Sequence, residues 1–165
     1  MPEKKWIFDT VVLSNFLLTD SIGLLKKRYS RRAIVAWEVY DEITAGQAAN
    51  PDLKTIDELI EKHHFELCAM SRKERQVYSG LISNLGRGEA ASIALAQSRK
   101  AIMCTDDKAA RKECSRLGAA FTGTIGILKA ACTESQIAPA QADSILGKMV
   151  ENGFYSPVRS ISSLV

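Results

Sequence analysis

Residues 101–123, "AIMCTDDKAARKECSRLGAAFTG", contain a complete structural unit. A short apolar run, "AIMCT", gives way at Asp106 and Asp107 to a segment with helical spacing that stops at Gly118, and "AAFTG" is a second apolar run. An apolar run too short for a helix reads as a buried strand, and Gly just past a helical pattern is a stop signal. The unit is therefore strand, helix, strand.

The same alternation extends in both directions. "WIFDTVVL" opens with a strand ending near Asp9, followed by "SNFLLTDSIGLLKKRY", helical but broken around Ser21 to Gly23. "RAIVAW" is a strand, "EVYDEITAG" a short helix, "NPDLKTIDELIEKHH" an amphipathic helix and "FELCAM" a short strand near an edge. Ser71 with Glu74 three residues on predicts a capping box for the helix "SRKERQVYSGLISNL". "GRGEAASIALAQSRK" is a small-residue helix suited to tight packing on a sheet, and "TIGILKAACTES" and "APAQADSILGKMVENG" supply the last two helices. Strands separated by helical segments predict a three-layer α/β/α fold around a mainly parallel sheet, with right-handed crossovers. The chain of 165 residues reads as one domain, 1–165, without repeats or a linker.

Composition excludes little. A net charge of +3 permits a nucleic-acid partner without demanding one. No stretch approaches the roughly 20 apolar residues of a membrane helix, and the first strand begins within a few residues of the start, so a cytoplasmic protein without a leader is expected. Cys68, Cys104, Cys114 and Cys132 lack metal-ligand spacing and read as free thiols in a reducing compartment. His63 and His64 are adjacent and so do not share a helix face. "GRGE" is too poor in glycine for a phosphate loop.

In open sheets of this kind ligands gather outside the carboxyl ends of the strands. Asp9 closes the first strand, and Asp106 and Asp107 close a later one; Glu42 lies in the helix after the second strand, and Glu89 starts the "GEAASIALA" helix. Carboxylates converging there would repel one another, and would take up protons or a divalent cation. Oxygen-only donors favour Mg²⁺ or Mn²⁺ over zinc. Such a site suits phosphodiester hydrolysis. Each acid also has a plainer reading. Asp107 is a good helix cap, Glu89 complements a helix dipole, and Glu42, four residues after Glu38, is a surface acid. Asp9 resists that reading, because a charge amid bulky apolar neighbours is costly without a partner.

"IFDTVVLSN", "VYDEI", "GRGEAASIALA" and "CTDDKAARKECSRLGAAFTGTIGIL" resemble, in order and spacing, the motifs of PIN-like domains, in the branch whose third motif reads Gly-Glu-Ala. The likeness runs from about Trp6 to about Ala131 and is weakest over 137–165, a C-terminal helix and tail. It implies a metal-dependent ribonuclease using Mg²⁺ or Mn²⁺. Many such domains are toxins held by a small antitoxin, and many are dimers. The resemblance makes Asp9, Glu42, Glu89, Asp106 and Asp107 the catalytic and metal-holding acids, Asp106 slightly ahead of Asp107 as ligand. Thr10, Asn15 and Thr105 are the supporting polar groups. Two departures, Glu89 in place of Asp and Val11 in place of a small polar residue, support an alternative: a catalytically silent module that binds nucleic acid or protein. "LKKRYSRR", with Lys26, Lys27, Arg28, Arg31 and Arg32 around Tyr29, is the candidate phosphate-binding stretch; a solvated turn is its plainer reading.

Overall fold

The computed structural model describes residues 3–165. Its sheet has five parallel strands: β1 (Trp6–Phe8), β2 (Ala33–Ala36), β3 (Phe65–Cys68), β4 (Ile102–Cys104) and β5 (Phe121–Thr122). Their order is β3-β2-β1-β4-β5. The sequence order runs outward in one direction from β1 to β3 and in the other through β4 to β5, so it reverses between β1 and β4.

Successive strand residues face opposite sides of a sheet. All four residues of β2 are buried, so helices cover both faces, as the three-layer reading predicts. β3 and β5 are the edges and are only partly buried. The helices are α1 (Thr10–Leu17), α2 (Ile22–Tyr29), α3 (Trp37–Gly46), α4 (Thr55–Glu61), α5 (Arg72–Leu81), α6 (Arg87–Arg99), α7 (Lys108–Arg116), α8 (Thr124–Thr133) and α9 (Pro139–Glu151).

Helix α6 lies against β1, β2 and β4, and each residue from Ala90 to Ala96 is buried. Its small side chains let the backbone approach the sheet closely, and burial all round marks a core helix. The predicted capping box is present on α5: Ser71 Oγ accepts from the Glu74 backbone at 3.2 Å, and Glu74 Oε1 accepts from the Ser71 backbone at 2.7 Å. Glu74 Oε2 also meets Arg99 Nε at 3.0 Å, joining α5 to the end of α6.

The sequence reading misplaces two boundaries. α1 begins at Thr10 rather than at Ser14, because Asp9 caps it. The segment after Asn50 starts as a 3₁₀ turn, Pro51–Lys54, before α4, and His63 at φ 60° ends the run. At the far end Ala142, Leu146 and Met149 of α9, with Ile161 beyond it, enter the same hydrophobic core as the sheet. All four cysteines are free thiols. Among the described residues no helix is long and apolar enough to cross a membrane.

Candidate functional site

The register pairs Phe8 with Cys104, so Asp9 and Thr105 leave the sheet side by side where the strand order reverses. Adjacent strands are about 4.8 Å apart, which places the first acid against the β4 exit. Asp9 is 2% exposed. Its Oδ1 accepts from the Val12 backbone at 2.8 Å, capping α1, and Thr105 also hydrogen-bonds to its side chain. These bonds are the partners that a buried acid requires. They do not fully offset burial, which, together with the charges of Asp106 and Glu89, raises the Asp9 pKa from 3.8 to about 7.

Asp106 and Asp107 divide their work. Asp107 Oδ1 accepts from the Ala110 backbone at 2.8 Å and caps α7, while its own N–H donates to Thr105 Oγ1 at 3.2 Å. Asp106 turns instead to α8: Oδ1 accepts from the Thr124 backbone at 2.9 Å and Oδ2 from the Thr124 hydroxyl at 2.6 Å. Asn15 Nδ2 donates to that same hydroxyl oxygen at 3.1 Å, so a polar chain runs from α1 through Thr124 to Asp106. Arg111 Nη2 stands 3.8 Å from Asp106 Oδ1 while its Nε donates to the Thr105 carbonyl at 2.9 Å. Gly123 makes room for this: a β-carbon there would collide with Asp106 Oδ1 and Arg111 Nη2.

Glu89 is the third residue of α6 and is half-buried; burial first, then the charges of Asp107 and Glu42, raise its pKa. Glu42, on α3, stands beside these acids rather than among them. Its Oε2 accepts from the Thr10 hydroxyl at 2.5 Å and its Oε1 from the Gly88 backbone at 2.8 Å. A β-carbon on Gly88 would sit 2.8 Å from Glu42 Oε1, so the glycine before Glu89 is what admits this contact. Asp9, Glu89, Asp106 and Asp107, with Asn15 and Val11, line a cleft of about 460 Å³, closed on one side by Asn152 to Tyr155 of the C-terminal tail.

The acids do not converge as tightly as the sequence reading anticipates. Among the described residues, no three histidine, cysteine or carboxylate side chains stand close enough to enclose one ion. The reason lies in the helices. α1, α6, α7 and α8 all begin at this edge, and a first-turn N–H of each is taken by Asp9, Glu42, Asp107 and Asp106 respectively. Helix starts are electropositive, and they hold the carboxylates apart while lowering the cost of their charge.

A family model described as a PIN domain, DUF3368, matches residues 5–165. The chain belongs to this family of PIN domains. No curated protein matches it in sequence. Among solved structures, a chain of VapBC2 from Rickettsia felis, bound to a DNA fragment from their promoter, is similar at TM-score 0.52 and 13% identity, covering 72% of this PIN domain and 97% of that chain. A chain of VapBC-1 from nontypeable Haemophilus influenzae is similar at TM-score 0.55 and 10% identity, with the same coverages. At these identities what is shared is the fold.

The basic stretch of this PIN domain is not beside the acids. Arg32 lies next to Lys5 at the entry to the sheet, since the Trp6 N–H donates to the Arg32 carbonyl at 2.8 Å, whereas Asp9 follows the strand exits. Arg28 is held by Glu134 at 2.7 Å and Gln136 at 2.5 Å. The Arg32 guanidinium lies over the Trp6 ring and donates to the Arg28 carbonyl. Tyr29 is buried, packed on Trp6 and Phe8, so it offers no face to a base. Lys26, Lys27 and Arg31 are exposed, but at the wrong end of the parallel strands to hold a phosphate over the cleft. Charge spacing in the chain does not say at which end of a strand a turn falls.

Sequence reasoning also missed Gly88, Gly123, Thr124 and the tail residues Asn152 to Tyr155. "GTIG" lay within the resemblance, yet nothing local indicates that Thr124 would face Asp106.

Proposed function

We propose that this PIN domain is a divalent-metal-dependent endoribonuclease that hydrolyses phosphodiester bonds of RNA. The observation that carries the reading is the cleft at the reversal point of the sheet, lined by Asp9, Glu89, Asp106 and Asp107. Its donor chemistry fits Mg²⁺ or Mn²⁺: the acids offer oxygen alone, and burial, reinforced by neighbouring acids, raises the pKa values of Asp9 and Glu89, a cost that a bound cation would relieve. Asp9, Glu89, Asp106 and Asp107, which line the cleft but stand too far apart to enclose an ion as they are, would draw together to hold it, with Glu42 fixing the starts of α1 and α6 behind them. When bound, such an ion lowers the pKa of coordinated water and neutralises charge on the phosphate. Thr105 orients Asp9, and the Asn15–Thr124 pair orients Asp106. The fold likeness to VapBC chains supports a toxin held by a small antitoxin.

Calorimetric titration of Mn²⁺ into wild type, Asp9→Asn and Asp106→Asn tests the site. Binding weakened by both substitutions is expected, with single-stranded RNA cut by wild type and Mn²⁺ but not by Asp9→Asn. Cutting that survives Asp9→Asn sinks the assignment.

One set of contacts favours a second reading, a silent PIN scaffold that binds RNA or protein. Both oxygens of Glu42 and both of Asp106 are already engaged by protein donors, so the acids have a use without metal. RNA binding that persists in chelator, with no cutting under Mg²⁺ or Mn²⁺, would select it.

A further inference from the structure

Beside the acid cleft lies a second cavity, of about 540 Å³, between the start of α7, the β5–α8 junction and the C-terminal tail. The two cavities share Asp106, Phe154 and Tyr155, so a chain crossing the acids enters the second one directly. Lys108, Arg111 and Phe121 line its other walls. Its size is within the roughly 300–1,000 Å³ of small-ligand pockets.

Three features describe what would occupy it. Tyr155, an aromatic residue on the lip shared by the two cavities, is 91% exposed and open to a stacking partner. Phe121, 38% exposed, lies under the Arg111 guanidinium at 5.2 Å, so a flat cation and a ring are already stacked there. Lys108 is exposed and makes no ion pair among the described residues, next to a cleft whose charged lining residues are all acids. Rings for a base and a cation for its phosphate, adjoining an acidic cleft, are the complement of a single-stranded nucleic acid.

We propose that this cavity is a nucleotide subsite that takes the residue of single-stranded RNA neighbouring the scissile phosphate. Its base stacks on Tyr155, beside the Phe121–Arg111 pair, and its backbone phosphate meets Lys108. The identity of the ligand rests on the ribonuclease reading above. The subsite supplies the phosphate contact that "LKKRYSRR", at the other end of the sheet, does not. A duplex does not fit this arrangement, because its bases are already stacked on one another.

The test measures binding of a fluorescent mixed-sequence oligoribonucleotide in chelator, where nothing is cut, to wild type, Tyr155→Ala, Tyr155→Phe and Lys108→Ala. Base–aromatic stacking predicts about tenfold weaker binding for Tyr155→Ala. Binding by Tyr155→Phe should stay within about twofold of wild type, since the ring remains. Lys108→Ala should reduce the salt slope of log K by about one. Because Tyr155 is so exposed, its variants should keep the wild-type melting temperature. Cutting with Mn²⁺ is read on the same proteins. Binding that depends on Tyr155, without cutting by wild type, keeps the subsite and removes the nuclease. Cutting and binding unchanged in Tyr155→Ala and Lys108→Ala keep the nuclease and overturn the subsite. Failure of wild type to bind any RNA also overturns it, leaving the cavity to a protein partner.

Discussion

Replacing Asp9 with Asn isolates the cost of a charge at the sheet exit. The side chain is 2% exposed, and burial, reinforced by Asp106 and Glu89, lifts its pKa from 3.8 to about 7 against the bonds from Thr105 and Val12. A carboxyl with a raised pKa stays protonated in the folded chain after it has ionised in the unfolded one. Its contribution to stability is therefore full below about pH 3.8, declines as pH rises, and is lost by about pH 7. At roughly 1.4 kcal/mol per unit, the whole shift amounts to about 4 kcal/mol. Asn keeps an acceptor for the Val12 N–H and is as good a cap, but never ionises. Urea unfolding of both proteins in metal-free buffer should show Asp9→Asn gaining on wild type by about 3 kcal/mol between about pH 5 and about pH 8. Carboxylates remote from Asp9 are common to both chains and cancel. A difference that stays constant over that range refutes the argument that Asp9 is held protonated.

Two further perturbations probe the frame around it. Gly123→Ala should destabilise the domain by about 1–3 kcal/mol, the cost of overpacking, because Asp106 is pinned by two bonds to Thr124 and cannot step aside freely. An unfolding curve superimposed on that of wild type would show that the carboxylate moves without penalty. Glu74→Ala should cost about 2 kcal/mol, losing the return bond to Ser71 and the partner of Arg99. Burial alone would raise the Glu74 pKa, but Arg99 and Ser71 outweigh it and hold the pKa at about 2. This depressed carboxyl contributes above its ordinary value of 4.5 and loses that contribution as pH falls toward about 2. Wild type should therefore be more acid-sensitive than Glu74→Ala; parallel acid profiles would refute the pairing.

Sequence determined much of this protein because the signals involved are local. The apolar runs, the Gly118 stop and the Ser71–Glu74 box each rest on a few adjacent residues, and all appear in the structure. The alternation of strands and helices forces a parallel sheet with crossovers, and acids at two strand exits mark one edge of it. The doublet at Asp106 and Asp107 was also half legible, since a helix needs only one cap.

What each acid touches was decided only by the tertiary structure. That β4 lies next to β1 is a pairing across about a hundred residues of chain, and it alone sets Asp9 beside Thr105. Four helix starts gather at the same edge and draw carboxylates toward their N–H groups, which no single segment encodes. The basic turn went to the opposite end, and the tail came back to build the rim of the cleft. Hydrogen bonds and spacing along a strand or helix are written in neighbouring residues. Which ends of which elements meet follows from how the apolar faces pack, and that is a property of the whole chain.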